Sequence, residues 1–327
     1  MRLRFLVSSV LFVALGPGSA RAAGTDADWF ASVWSPGGIE IRSDDRVFSL
    51  FALLNRAGYD EAPVLREHPI RAHDFGPARS AVREALRSAS PAALVQAEAL
   101  FDAHPRRLRD YVGHVLGDTA SSDLTGLDDV LTRVEAEWPL RSLREQTFEA
   151  HRAAQRQWLP VVDAPLQRAA RLLSLPEGKP PVQLVVTLLG AKGECWGAKV
   201  GAGWRIVVGA GEPPSAECLV RAWAAQVLAE RVGRQLEARW TAGAAVWREA
   251  RAQGAREESV GEFGVALLSR ALALSATGAP EAAYVAAGRE GYFGLKALAR
   301  SFEDSRPVDA WALEGLARVV SARPLRK

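Results

Sequence analysis

The sequence predicts an α+β fold that is mostly helical, with a small β-sheet or hairpin that precedes one long helix. Most of the chain has apolar residues at helical spacing. β-Branched residues concentrate in the stretch Val182–Leu189, and glycines separate it from a second apolar segment, Trp204–Val208. The chain has 327 residues, 48% of them hydrophobic, which is enough to bury a substantial core.

The N-terminus has the pattern of a secretory signal peptide. Arg2 and Arg4 precede the apolar stretch Phe5–Leu15, and Ala20 and Ala22 are small residues at the positions that signal peptidase recognises. We therefore predict a signal peptide over residues 1–22 and export to the periplasm or the extracellular space, with an uncleaved anchor helix as the alternative. No integral membrane span is expected after cleavage.

Charge argues against a nucleic-acid partner. The whole chain has 41 basic and 38 acidic residues, and three of the basic ones, Arg2, Arg4 and Arg21, lie in the predicted signal peptide. Their removal leaves 38 residues of each sign. A near-neutral, exported protein has no electrostatic reason to bind nucleic acid.

The region from 23 to 175 is predicted to be mostly helical. Gly38–Arg42 alternates like a short strand, and Asp44 or Asp45 caps a helix that ends near Gly58. Ser90 and Pro91 are typical of a helix start, because proline suits the first turn. Further helices are predicted over 78–88, 106–116, 126–138, 140–158 and 162–174.

The segment Leu175–Pro181 is a predicted hinge, and a strand-bearing region from 176 to 327 follows it. Val182–Leu189 is predicted to be a strand, and Trp204–Val208 one arm of a hairpin with a glycine turn. A long helix follows from about Pro214 to Ala252, bent or divided at Gly233 and Gly243. The last predicted helices cover 257–276, 281–304 and 308–322.

The chain contains two cysteines, Cys195 and Cys218. In an oxidising compartment an isolated pair usually forms a disulfide, which here ties the strand region to the start of the long helix. Two reduced cysteines in the core are the alternative, because the sequence does not show the distance between them.

The order of strand, glycine-rich hairpin, long helix and a later helix with a glutamate resembles the frame of gluzincin-type zinc metallopeptidases, over about residues 180–275. In that family the long helix opens with H-E-x-x-H, whose histidines bind zinc and whose glutamate acts as the general base. The resemblance places Ala216 and Val220 at the histidine positions and Glu217 at the general-base position. Glu262 matches the later glutamate ligand.

Because alanine and valine cannot coordinate zinc, the resemblance implies a pseudo-active-site helix that has lost its metal. No cofactor is then expected, and Glu217 and Glu262 are vestigial candidates. Simpler structural interpretations exist for both, since a carboxylate in the first turn of a helix is stabilised by the helix dipole. The histidines share no ligand spacing, and all precede the strand region: His68, His73, His104, His114 and His151.

Three functional hypotheses follow. The first is an exported, non-catalytic metallopeptidase-like protein that binds a peptide or a protein partner. The second is an active zinc hydrolase whose ligands the motif analysis does not identify. The third is a structural helical protein of the cell envelope.

Overall fold

The computed structural model describes residues 32–61, 75–103, 108–117, 124–175, 181–209, 211, 213–302 and 306–321. The predicted signal peptide, and three of the five histidines (His68, His73 and His104), lie outside these residues. Within them the fold is mostly helical with one small sheet, which confirms the predicted α+β class.

One five-stranded sheet lies at the centre of the molecule, in the order β1-β2-β3-β5-β4. β2, β3 and β5 are parallel, whereas the edge strands β1 and β4 run antiparallel to their neighbours. β4 and β5 form the predicted hairpin, with a turn at Gly201, whose φ of 59° suits glycine. The strands are β1 (Val33–Trp34), β2 (Glu40–Arg42), β3 (Val182–Thr187), β4 (Cys195–Val200) and β5 (Gly203–Gly209).

Helices cover both faces of this sheet. Along β3, Leu184 and Val186 point into one hydrophobic cluster, and Val185 points into the other, as the two-residue period of a strand requires. β2 of the predicted N-terminal region pairs with β3 of the predicted C-terminal region. The sheet therefore spans the predicted boundary between residues 175 and 176, and both clusters contain residues from both regions.

The helices described before residue 176 match their predicted positions closely, whereas residues 176–180 of the predicted hinge lie outside the described residues. Asp44 caps the first of them by accepting a hydrogen bond from the backbone N–H of Val47 at 3.1 Å, and Gly58 ends it with a φ of 77°. These helices are α1 (Asp45–Ala57), α2 (Pro77–Ala85), α3 (Pro91–Ala103), α4 (Leu108–Leu116), α5 (Leu127–Glu137), α6 (Leu140–Trp158) and α7 (Asp163–Leu172).

After the sheet, the helix predicted over 214–252 is divided at Gly243, as predicted, and the helix predicted over 281–304 is divided although it was predicted to be continuous. The helices described after the sheet are therefore more numerous than predicted. They are α8 (Ala216–Leu228), a π-helical turn (Ala229–Gly233), α9 (Arg234–Arg239), α10 (Gly243–Ala252), α11 (Val260–Thr277), α12 (Glu281–Arg289), α13 (Leu295–Ser301) and α14 (Val308–Ser321).

Specific residues cause both divisions. Trp240 ends α9 with a ψ of 55°, and its indole ring lies over Gly243, where a Cβ atom would be 2.5 Å from the ring. Only glycine allows that contact, so the helix restarts as α10 at this residue. Gly291 and Gly294 have φ angles of 94° and 69° and separate α12 from α13.

α11 is long and apolar enough, by length and composition alone, to cross a membrane, which the sequence analysis did not anticipate. In the fold, 72% of this stretch is buried, and α11 packs against α8 as the central helix of the larger hydrophobic cluster.

Candidate functional site

The start of α8 is fixed to the edge of the sheet. Ser215 caps the helix, its side-chain oxygen accepting a hydrogen bond from the backbone N–H of Cys218 at 3.2 Å. Cys218 and Cys195 of β4 lie at disulfide distance, with Cα atoms 5.7 Å apart, in agreement with the predicted pairing. The first turn of α8 is thereby held beside the first residue of the edge strand.

A cavity of about 460 Å³ lies next to this junction. β4 forms one wall through Cys195, Trp196 and Gly197, and α8 and α11 form two others. The backbones of β4 and α8 lie very close together at Gly197. A Cβ atom added there would be only 2.7 Å from the carbonyl oxygen of Ala222. Charged side chains from five parts of the chain line the cavity: Arg109, Arg221, Arg234, Glu237, Arg256, Glu257, Glu262 and Arg270.

The predicted zinc-ligand positions do not face this cavity. The residues of α8 that line it are Arg221, Ala222, Ala225 and Gln226. Successive helical residues turn by about 100°, so Ala216 and Val220 lie on the opposite side of α8. Val220 is fully buried in the hydrophobic cluster there.

Glu217 and Glu262 occupy different positions relative to the cavity. Glu217 lies in the first turn of α8, and its Oε1 atom is 3.5 Å from the guanidinium of Arg221. Glu217 does not line the cavity, although its partner Arg221 does. Glu262 itself lines the cavity. Of the two carboxylates that the resemblance implied, Glu262 therefore lines the cavity and Glu217 contacts one of the lining residues.

Glu262 holds the start of α11 in place. Its backbone N–H donates to the capping hydroxyl of Ser259 at 3.2 Å, and its Oε2 accepts from the backbone N–H of Glu258 at 2.8 Å, an arrangement close to a capping box. The other carboxylate oxygen, Oε1, lies 2.8 Å from Arg109 of α4. Glu262 thus links a helix on one face of the sheet to a helix on the other, around the edge strand.

A buried cation contributes to the cavity lining at Arg270. The side chain is only 8% exposed, and its guanidinium lies 3.6 Å from the centre of the Tyr292 ring. Burial alone would lower the pKa of this guanidinium, but the surrounding Tyr292 and carboxylates raise it above its ordinary value. Burial also raises the pKa of Tyr292, which stays protonated and donates to Glu257 at 2.9 Å.

Two features of this site were not predicted from the sequence. The arginines were not anticipated, although Arg221 and Arg270 interrupt otherwise apolar helical stretches, and a charge in such a stretch is a recognisable signal. The π-helical turn was also missed, and its Ala229 and Gly233 line the cavity. Such turns occur frequently at functional sites.

The two described histidines lie outside the cavity. The buried His151 is bonded to the carbonyl of Thr147 at 3.0 Å, and His114 lies 3.4 Å from Asp128. Among the described residues, no group of three or more His, Cys, Asp or Glu side chains is arranged to hold a metal ion.

Comparison with known proteins adds no relative to this description: no protein-family model, curated protein or solved structure matches the chain.

Proposed function

We propose that this protein is an exported, non-catalytic, metallopeptidase-like protein that binds peptide segments in the cavity between β4, α8 and α11. The observation that carries the proposal is a cavity of about 460 Å³, open to solvent on one side, beside the edge strand of the sheet. That volume is within the range of ligand-binding sites, and an edge strand can pair with an extended chain.

The backbone of β4 supports this proposal. Gly209 of β5 donates its N–H to the carbonyl of Glu194 at 2.9 Å, immediately before β4. In an antiparallel pair, the N–H and C=O groups of successive residues point alternately toward and away from the neighbouring strand. Since the carbonyl of Glu194 points toward β5, the backbone N–H and C=O groups of Cys195 and Gly197 point away from it. Gln226 donates to the carbonyl of Gly197 at 2.8 Å. A bound peptide would take the place of this amide.

The side chains around the cavity suit binding better than hydrolysis. Hydrolysis by the zinc mechanism requires a general base aimed at a metal-bound water. Glu217 instead contacts Arg221, and both oxygens of Glu262 are used in the wall. The remaining surface is a mixture of small apolar side chains, among them Ala222, Ala225 and Ala266, and charged ones, as is common for binding sites.

The direct test is to incubate the purified protein with a random library of N-acetylated hexapeptides and to identify retained and cleaved peptides by mass spectrometry. We expect retention without cleavage. Ala225→Trp, which fills the cavity, should abolish retention. Ala286→Trp adds the same bulk at an exposed position of α12 and should not.

Two outcomes would contradict the proposal. Failure of the wild-type protein to retain any peptide would remove the binding function. Cleavage that a chelator stops would instead establish the zinc hydrolase hypothesis, with ligands that the motif analysis does not identify.

A further inference from the structure

The charges around the cavity are unequal. Five arginines line it, against three glutamates, and the arginines come from separate parts of the chain. Arginine presents a planar fork of donors that matches a carboxylate. The cavity is therefore suited to an anionic group, and the question is which arginine is placed to receive one.

The three lining glutamates are already engaged in the wall. Glu237 accepts hydrogen bonds from the hydroxyl of Ser259 at 2.6 Å and from the backbone N–H of Gly261 at 2.8 Å. Glu257 accepts from Tyr292, and Glu262 pairs with Arg109. These contacts fix the three carboxylates at the start of α11, and the lining keeps two more arginines than glutamates.

Arg221 lies where the edge strand begins. Its Nη2 atom is 3.9 Å from Sγ of Cys218, whose disulfide partner Cys195 is the first residue of β4. The side chain is 18% exposed and lines the cavity. Its ion pair with Glu217, at 3.5 Å, is long and partly exposed to solvent, so it is a weak competitor for an incoming anion.

The direction of β4 decides which end of a peptide meets Arg221. A peptide that continues the antiparallel pairing of β5 and β4 runs opposite to β4. Its C-terminal end then lies beside Cys195, at the start of the strand. The terminal carboxylate of such a peptide would therefore lie near the guanidinium of Arg221, at the start of β4.

We infer that the cavity recognises a peptide carboxylate, the C-terminal one, through Arg221 at the start of β4. This inference rests on the proposed peptide-binding function and specifies which group of the peptide is recognised. The buried cation of Arg270 in the same lining contributes further positive potential. A charge-assisted hydrogen bond of this kind corresponds to a preference of about tenfold or more over an uncharged end.

The experiment compares N-acetylated hexapeptides from the retained set, each made as a free acid and as a C-terminal amide. We expect the free acids to bind the wild-type protein at least about tenfold more tightly. Arg221→Gln should remove this preference, and Arg221→Lys should restore part of it, because lysine keeps the charge without the fork. The control Arg239→Gln makes the same charge change at an exposed residue of α9 outside the lining and should keep the preference.

Each contrary result has a distinct meaning. Equal binding of acids and amides would overturn the carboxylate inference and leave the peptide-binding function intact. Amides with a C-terminal aspartate that bind as tightly as free acids would show that a side-chain carboxylate suffices, which overturns recognition of the terminus. Equal loss of preference in Arg221→Gln and Arg239→Gln would indicate a general charge effect and overturn the role of Arg221. Failure of both peptide forms to bind would overturn the proposed function itself.

Discussion

The two faces of the sheet use arginine in different ways. On the face covered by α1 to α5, Arg79 is 6% exposed and donates to Asp60 and Glu61, at 2.6 Å in both cases. On the other face, Arg221 and Arg270 line an open cavity, and the ion pairs that tie them to carboxylates are longer, at 3.5 and 3.9 Å. The first arrangement closes a core, and the second leaves charge beside a space that a ligand can enter.

The difference shows that the role of a buried charged side chain can be inferred only when its distances to its partners are known. Short hydrogen bonds from Arg79 to two carboxylates offset its loss of hydration, which makes it part of the folded framework. Arg221 and Arg270, whose ion pairs are longer and lie beside a cavity open to solvent, are better placed to contact a ligand. Under the proposed function, the first face contributes mainly stability and the second contributes binding, and the following substitutions test that division.

The largest effect is expected from Arg79→Met. This change removes the guanidinium that lies 2.6 Å from the carboxylate of Asp60, which is 3% exposed. Breaking a buried pair from one side typically costs about 3–5 kcal/mol, so the free energy of unfolding in urea should fall by that amount. Arg83→Met is the matched control, since Arg83 pairs with Glu61 at the surface at 2.9 Å and should cost less than about 1 kcal/mol. Equal losses in the two variants would refute the closed-core interpretation.

The disulfide between Cys195 and Cys218 should have the next largest effect, on the cavity face. Closing a loop over a separation of 23 residues stabilises the fold by about 3 kcal/mol in the chain-entropy model. Reduction of the wild-type protein should therefore lower the urea midpoint and weaken peptide retention. The double variant Cys195→Ser, Cys218→Ser should be insensitive to reductant. An unchanged midpoint after thiol counting has shown full reduction would argue against a stabilising disulfide.

A smaller effect on the free energy of unfolding, confined to acidic pH, is expected from protonation of His151. Burial lowers its pKa to about 4 from an ordinary value of 6.5, so the unfolded chain binds a proton that the folded protein does not. The stability is present above about pH 6.5 and falls as the pH is lowered toward 4, by at most about 3 kcal/mol.

Unfolding free energies measured at intervals across this pH range test the prediction. His151→Gln should have a flatter profile than the wild-type protein, whatever its stability at neutral pH. His114→Gln keeps His151 and should keep the slope. A slope that survives in His151→Gln would assign the acid sensitivity to other groups.

Local signals in the sequence predicted much of the fold. The cap at Asp44, the end at Gly58 and the hairpin turn at Gly201 all lie where their residue types indicate. The predicted division of the long helix at Gly243 is confirmed, since α10 begins at that residue. The helix predicted over 281–304 was wrong in its continuity, because Gly291 and Gly294 have positive φ angles and separate α12 from α13. Of the residues to which the resemblance gave a role, Glu262 lines the cavity, whereas Ala216 and Val220 face away from it.

By itself, the sequence determined the helical content and the positions of β2, β3 and β5, because these depend on residue type and short-range pattern. The distance between Cys195 and Cys218, which the sequence left open, was decided by the tertiary structure. The tertiary structure alone decided which side of α8 faces the cavity and which arginines have short contacts to carboxylates. Arg109 and Glu262, for example, are separated by 153 positions and meet at 2.8 Å around the edge of β4. Helical periodicity defines the faces of a helix, but only packing against the sheet decides which face meets the core and which meets the cavity.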